Sequence, residues 1–90
     1  MSGERILVVD DEAEIGDLLN LYLTKEGYEV TTALDGRQAM DIVANNKIDL
    51  IILDVLLPGL DGIELCTEIR KVTDVPIVFL TCRGDDIDKV

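Results

Sequence analysis

Read for apolar and polar positions, the chain alternates between short continuous apolar runs and stretches with an apolar stripe at helical spacing. Ile6-Leu7-Val8-Val9 and Leu50-Ile51-Ile52-Leu53 contain no polar residue. Runs that do not alternate predict strands buried on both faces. The first ends in Asp10-Asp11 and the second in Asp54. Between them Ile15, Leu18, Leu19, Tyr22 and Leu23 fall at i, i+3, i+4, i+7 and i+8, which predicts a helix with that stripe facing inward. Gly27 supplies its stop, just after Glu26.

The rest of the chain continues the alternation. Residues 28–34 are more mixed and partly polar, as expected of an edge strand. Asp35-Gly36 opens a second helix, with Ala39, Ile42 and Val43 inward, ending near Asn45-Asn46. Pro58 has no N–H for a sheet ladder, so the strand ending at Asp54 cannot run far beyond it. A third helix is predicted over residues 62–72, with Leu65, Cys66 and Ile69 inward. Pro76 then starts a fourth strand, Ile77-Val78-Phe79-Leu80, ending at Thr81, and residues 83–90 open a further helix.

Strands and helices in strict alternation predict an α/β fold, a doubly wound parallel sheet with helices on both faces and right-handed crossovers. The two most uniformly apolar strands belong in the centre, side by side, which gives the order 2-1-3-4. Ninety residues make one domain. With Phe79 as the only Phe and no Trp, the core must be aliphatic.

Charge and cysteine content narrow the function classes. Eight basic residues against 19 acidic give a net charge of −11. Such a surface repels phosphate backbones and anionic lipid, so this segment is not expected to bind nucleic acid or membrane directly. No apolar run approaches the ~20 residues of a membrane span, and no signal sequence opens the chain, so a cytoplasmic location is expected. Cys66 and Cys82 have no metal-ligand spacing and read as buried free thiols.

In an open parallel sheet, ligands bind beyond the carboxyl ends of the strands. Asp10-Asp11, Asp54 and Thr81 stand at three of those ends. Adjacent strands lie ~4.8 Å apart, so three carboxylates would meet there. At ~5 Å and an effective dielectric of ~20, each like-charged pair costs roughly 3 kcal/mol. Either one acid holds a proton or a hard divalent cation sits between them, and Mg²⁺ suits carboxylates while keeping positions for water and phosphate oxygens. Simpler readings compete. Asp11, Asp35 and Asp61 each precede Glu or Gln by three residues, the pattern of a capping box. That reading accounts for Asp35 and Asp61; for Asp11 it leaves Asp10 unexplained. Asp54 as a plain turn residue and Thr81 as a plain loop hydroxyl are the corresponding alternatives.

Val8-Val9-Asp10-Asp11-Glu12, then Leu53-Asp54-Val55-Leu56-Leu57-Pro58-Gly59-Leu60-Asp61-Gly62, then Pro76-Ile77-Val78-Phe79-Leu80-Thr81 resemble the receiver domain of bacterial two-component response regulators. The resemblance covers the whole chain and is similar in style to the receivers of winged-helix transcription factors. It implies a flavodoxin-like fold in which Asp54 accepts a phosphoryl group from a sensor histidine kinase. It also implies that Asp11 binds Mg²⁺ directly, that Asp10 helps through water, and that the backbone carbonyl of Leu56 completes the protein ligands. Thr81 would contact the phosphoryl group and shift on activation, controlling a transcriptional, DNA-binding output domain that follows the receiver. The module is then a phospho-acceptor rather than an enzyme acting on other substrates.

The chain departs from the family pattern at its end. The fifth strand, with its Lys and its aromatic switch residue, and the last helix are absent; Lys89 falls in the predicted fourth helix, and Cys82 stands where a small residue is common. Residues 1–90 therefore read as an incomplete receiver, ending in or just after the fourth helix, that binds Mg²⁺ but accepts phosphate poorly. An uncovered fourth strand predicts self-association as a homodimer or larger assembly, with elements exchanged between copies. Two other classes compete. A phosphatase or phosphotransferase of the haloacid-dehalogenase type would carry Asp-x-Asp after the first strand, whereas Asp10 and Asp11 are adjacent. A degraded receiver that only binds or dimerises is the other.

Overall fold

The computed structural model describes residues 3–54 and 62–80. Its elements are β1 (Arg5–Val9), α1 (Ala13–Lys25), β2 (Glu29–Ala33), α2 (Gly36–Asn45), β3 (Leu50–Asp54), α3 (Gly62–Arg70) and β4 (Ile77–Leu80). All neighbouring strands are parallel, and the sheet order is β2-β1-β3-β4, as the apolar pattern required. The further helix expected over residues 83–90, the Pro58-Gly59 turn, the Asp61 cap and Cys82 lie outside the described residues.

The helix ends follow local chemistry. Gly27 adopts φ +97°, a left-handed conformation that costs an L side chain. There the Gly27 and Tyr28 N–H groups donate to the carbonyls of Thr24 and Leu23, closing α1 in a Schellman motif. At α2 the Asp35 carboxylate accepts the Gln38 N–H at 2.9 Å. The Gln38 side chain reaches back to accept the Leu34 N–H at 2.9 Å, a variant of the capping box one residue early.

Strand alternation sorts the core onto one face. Leu7, Val9, Ile51 and Leu53 point toward α2 and α3, where they cluster with Ala33, Ala39, Ile48, Leu65 and Ile69. Ile42 and Val43 pack against this cluster as expected. Cys66 is a half-buried free thiol at its margin rather than a fully buried one.

The other face is covered only in part among the described residues. Here α1 lies chiefly on β2 and less on β1. Ile6 and Val8 are sealed, but Leu50 and Ile52 are only half-buried, so β3 is closed on one face and not, as expected, on both. Val78, level with Ile52, is 51% exposed.

The predicted inward stripe of α1 also needs correction. Ile15, Leu19 and Leu23 are half-buried, but Leu18 and Tyr22 are 50% and 61% exposed. The contact line runs through buried Gly16, where an added Cβ would sit 3.5 Å from the Thr32 Cγ2. With the sheet beneath only one flank of the helix, the i+3 and i+7 members of the stripe turn away from it.

Candidate cation site at the strand ends

Register brings the carboxylates together. Val9 pairs with Leu53, so Asp10, one step further along β1, is level with Asp54 at the end of β3. Asp10 is 3% exposed and Asp54 7%, whereas Asp11 stands in solvent. A carboxylate oxygen from each of the three lies within 4.8 Å of those of the other two.

Backbone contacts hold Asp10 in this position. Its N–H donates to the Ala33 carbonyl at 3.0 Å, extending the β1–β2 ladder by one bond. Its Oδ1 accepts the Glu12 N–H at 2.8 Å, an Asx-type turn that leads the chain from strand to helix. Asp11 does not cap α1. The N-cap is Glu12, with φ −97°, ψ 110° and no side-chain cap bond, so the capping-box reading of Asp11 is overturned. The Asp10 turn takes up the N–H and leaves the Asp11 carboxylate at the cluster. In addition, the nearby N-terminus of α1 presents the positive end of its dipole to this edge.

Burial raises the Asp10 pKa above its ordinary 3.8; the Glu12 N–H opposes the shift, and the charges of Asp54, Asp11 and Glu12 add to it. Three hard oxygen donors, two buried and one open to solvent, form a set that a divalent cation fits: its charge would relieve the repulsion, and Asp11 leaves the approach wet. Thr81 and the Leu56 carbonyl lie outside the described residues. Sequence reading passed over two neighbours. Asp17 and Thr32 line a cavity of about 160 Å³ beside Asp10, between α1 and the end of β2. They escaped notice because neither stands at a strand end.

The response regulator receiver domain model matches residues 6–90. The uncharacterized transcriptional regulatory protein YrkP of Bacillus subtilis (strain 168) is 54% identical over 85 residues, covering 94% of this chain. The chain spans only 36% of that protein's length. Among solved structures, the complex of histidine kinase ThkA with response regulator TrrA matches with a TM-score of 0.82 at 46% identity, covering 88% of this chain and 69% of that one. TrrA from Thermotoga maritima in complex with Mg²⁺-BeF matches with a TM-score of 0.74 at 33% identity, covering 96% of this chain and 94% of that one. A family match over most of the sequence, joined to the strand order and the acids it brings to one edge, establishes that this chain belongs to the response regulator receiver domains.

Proposed function

We propose that the chain receives a phosphoryl group on Asp54 from a sensor histidine kinase and passes the signal to an output domain of a longer transcriptional regulator. The observation that carries this reading is the meeting of Asp10, Asp11 and Asp54 at the ends of two adjacent parallel strands. The Asp54 carboxylate attacks the phosphorus of a phosphohistidine, the P–N bond breaks, and the imidazole leaves as an acyl phosphate forms on Asp54. Asp11, Asp54 and the Leu56 carbonyl would hold Mg²⁺, with Asp10 acting through water. The ion would supply charge neutralisation for the clustered carboxylates and the phosphoryl oxygens. The Thr81 hydroxyl contacts the phosphoryl group, and the added charge shifts the population of a surface that a partner reads.

The TrrA complexes with ThkA and with Mg²⁺-BeF support the kinase partner and the cation. A dehalogenase-type reading has less support, since Asp10 is tied to the Glu12 N–H and no Asp-x-Asp follows β1. In a cytoplasmic setting this module is a phospho-acceptor rather than an enzyme acting on other substrates.

The test is treatment with acetyl phosphate, read by intact mass. Slow, partial labelling by at most one phosphoryl group per chain is expected with Mg²⁺, none with EDTA and none in Asp54→Asn. Labelling that survives Asp54→Asn would overturn the assignment. The reading extends to self-association through β4, where Val78 and Phe79 are exposed. Light scattering should then show a mass that rises with concentration, and a monomer at all micromolar concentrations would refute that extension.

A further inference from the structure

The turn that carries Asp10 and Asp11 is tied down at one further point. Among the described residues of α1, Gly16 is the only one fully buried, so the seat of this helix on the sheet is set there. Its open side faces Thr32 on β2. An added Cβ would sit 3.5 Å from the Thr32 Cγ2 and 3.9 Å from the Thr32 Cβ. Carbon atoms are in optimal contact at about 3.5–4.0 Å, so a single methyl fills this space and a longer side chain exceeds it. Rotating Thr32 moves its methyl but not its Cβ, which is fixed to the strand.

From Gly16 a closed circuit of contacts runs through the turn. The Gly16 N–H donates to the Glu12 carbonyl at 3.3 Å, and the Glu12 N–H donates to the Asp10 Oδ1 at 2.8 Å. The Asp10 N–H donates to the Ala33 carbonyl at 3.0 Å, and Ala33 follows Thr32 in β2. Asp11 lies inside this circuit, between Asp10 and Glu12, with its side chain in solvent. The bonds of its neighbours therefore set where it stands. A side chain larger than a methyl at residue 16 has two places to go. It presses on Thr32 and lifts α1, which draws the Glu12 carbonyl away, or it enters the cavity of about 160 Å³ that Asp10 also lines. Either route disturbs the turn.

We propose that Gly16 is a positioning residue for the divalent cation: by letting α1 seat directly on Thr32, it aims Asp11 at Asp10 and Asp54. This role rests on the cation reading of the cluster and adds the contact, one helical turn away, on which the ligand geometry depends. Mg²⁺ demands near-ideal octahedral geometry, whereas Ca²⁺ accepts longer bonds in flexible arrangements. A displaced Asp11 therefore costs Mg²⁺ more than Ca²⁺. A plain loss of stability lowers both affinities alike.

The experiment is an amide NMR titration of the ¹⁵N-labelled chain with MgCl₂ and, separately, with CaCl₂. Gly16→Ala should bind Mg²⁺ as the wild type does, because its methyl fits against Thr32. Gly16→Leu should bind Mg²⁺ roughly 10-fold more weakly or worse, as when other supports of a metal ligand are removed, with a smaller loss for Ca²⁺. Should Gly16→Leu fail to fold, Thr32→Ile crowds the same contact from a strand that favours branched residues and should shift the two affinities in the same sense. Ile69→Ala, in the core beneath α3, controls for lost stability and should leave the ratio of Mg²⁺ to Ca²⁺ affinity unchanged. Wild-type Mg²⁺ affinity in the folded Gly16→Leu or Thr32→Ile chain, an equal loss for both ions, or the same change of ratio in Ile69→Ala would overturn the role of Gly16. A wild type that binds no Mg²⁺ would instead overturn the cation reading, and this role with it.

Discussion

Replacing Asp10 with Asn removes one charge from a crowded edge while keeping an Oδ1 that can accept the Glu12 N–H. At the 4.8 Å limit between carboxylate oxygens and an effective dielectric of ~20, the buried Asp10–Asp54 repulsion is about 3.5 kcal/mol. Asp11 is exposed, so its repulsion of Asp10 at the same distance is nearer the water value of about 0.9 kcal/mol. Against these gains, a hydrogen bond to a neutral amide is weaker than one to a carboxylate by about 1 kcal/mol. Screening by salt takes a further part. The net expectation is that Asp10→Asn stabilises the cation-free chain by about 2–3 kcal/mol at neutral pH, a rise in urea midpoint of about 1–2 M.

The pH dependence has a definite sign. The folded-state pKa of Asp10 lies above 3.8, so in that interval the folded form binds more protons than the unfolded chain. Wild-type stability attributable to Asp10 therefore falls as pH rises through the interval, and the advantage of the Asn variant opens across it. Below the ordinary carboxylate value both states are protonated and the difference closes. Urea unfolding in EDTA at low salt, repeated at several pH values, measures this directly. A variant no more stable than the wild type at pH 7, or a gap that fails to shrink in acid, would refute the reasoning. Adding Mg²⁺ should also narrow the gap, because the wild type keeps all three carboxylates for the ion.

Three further outcomes follow from packing and caps. Leu53→Ala, at a fully buried position on the closed face of the sheet, should cost about 2–5 kcal/mol by urea unfolding. Gly27→Ala forces a side chain into φ +97° and should cost about 1–2 kcal/mol, read as a lower thermal midpoint. Leu18→Lys, on the open side of α1, should change stability by no more than about 0.5 kcal/mol, whereas the original inward stripe would demand a core-sized loss.

Much of this protein was legible because its signals are local. Unbroken apolar runs, Gly27 and the Asp35–Gln38 pair determine strands, stop and cap through contacts a few residues apart. The strand order was legible too, since the two least polar strands have to be the most buried. The failures have a common cause. The stripe on α1 contains more apolar positions than the sheet covers, and periodicity shows which residues share a face without showing how much lies beneath it. The same limit misjudged β3, whose apolar run is unbroken although one of its faces is only half closed.

The carboxylate cluster separates the two levels most clearly. From sequence alone, three acids stand at the ends of central strands, and parallel-sheet geometry has to bring such ends near one another. Only the tertiary structure decided how they differ. The register that sets Asp10 level with Asp54 buries both, and the turn that gives the Glu12 N–H to Asp10 leaves Asp11 free of capping and exposed. Burial and hydrogen bonding depend on residues far apart in the chain, so no local pattern carries them. For the same reason, the sealed Glu4 oxygen at the other end of the sheet, which accepts no hydrogen bond from the described residues, had no signature in the sequence.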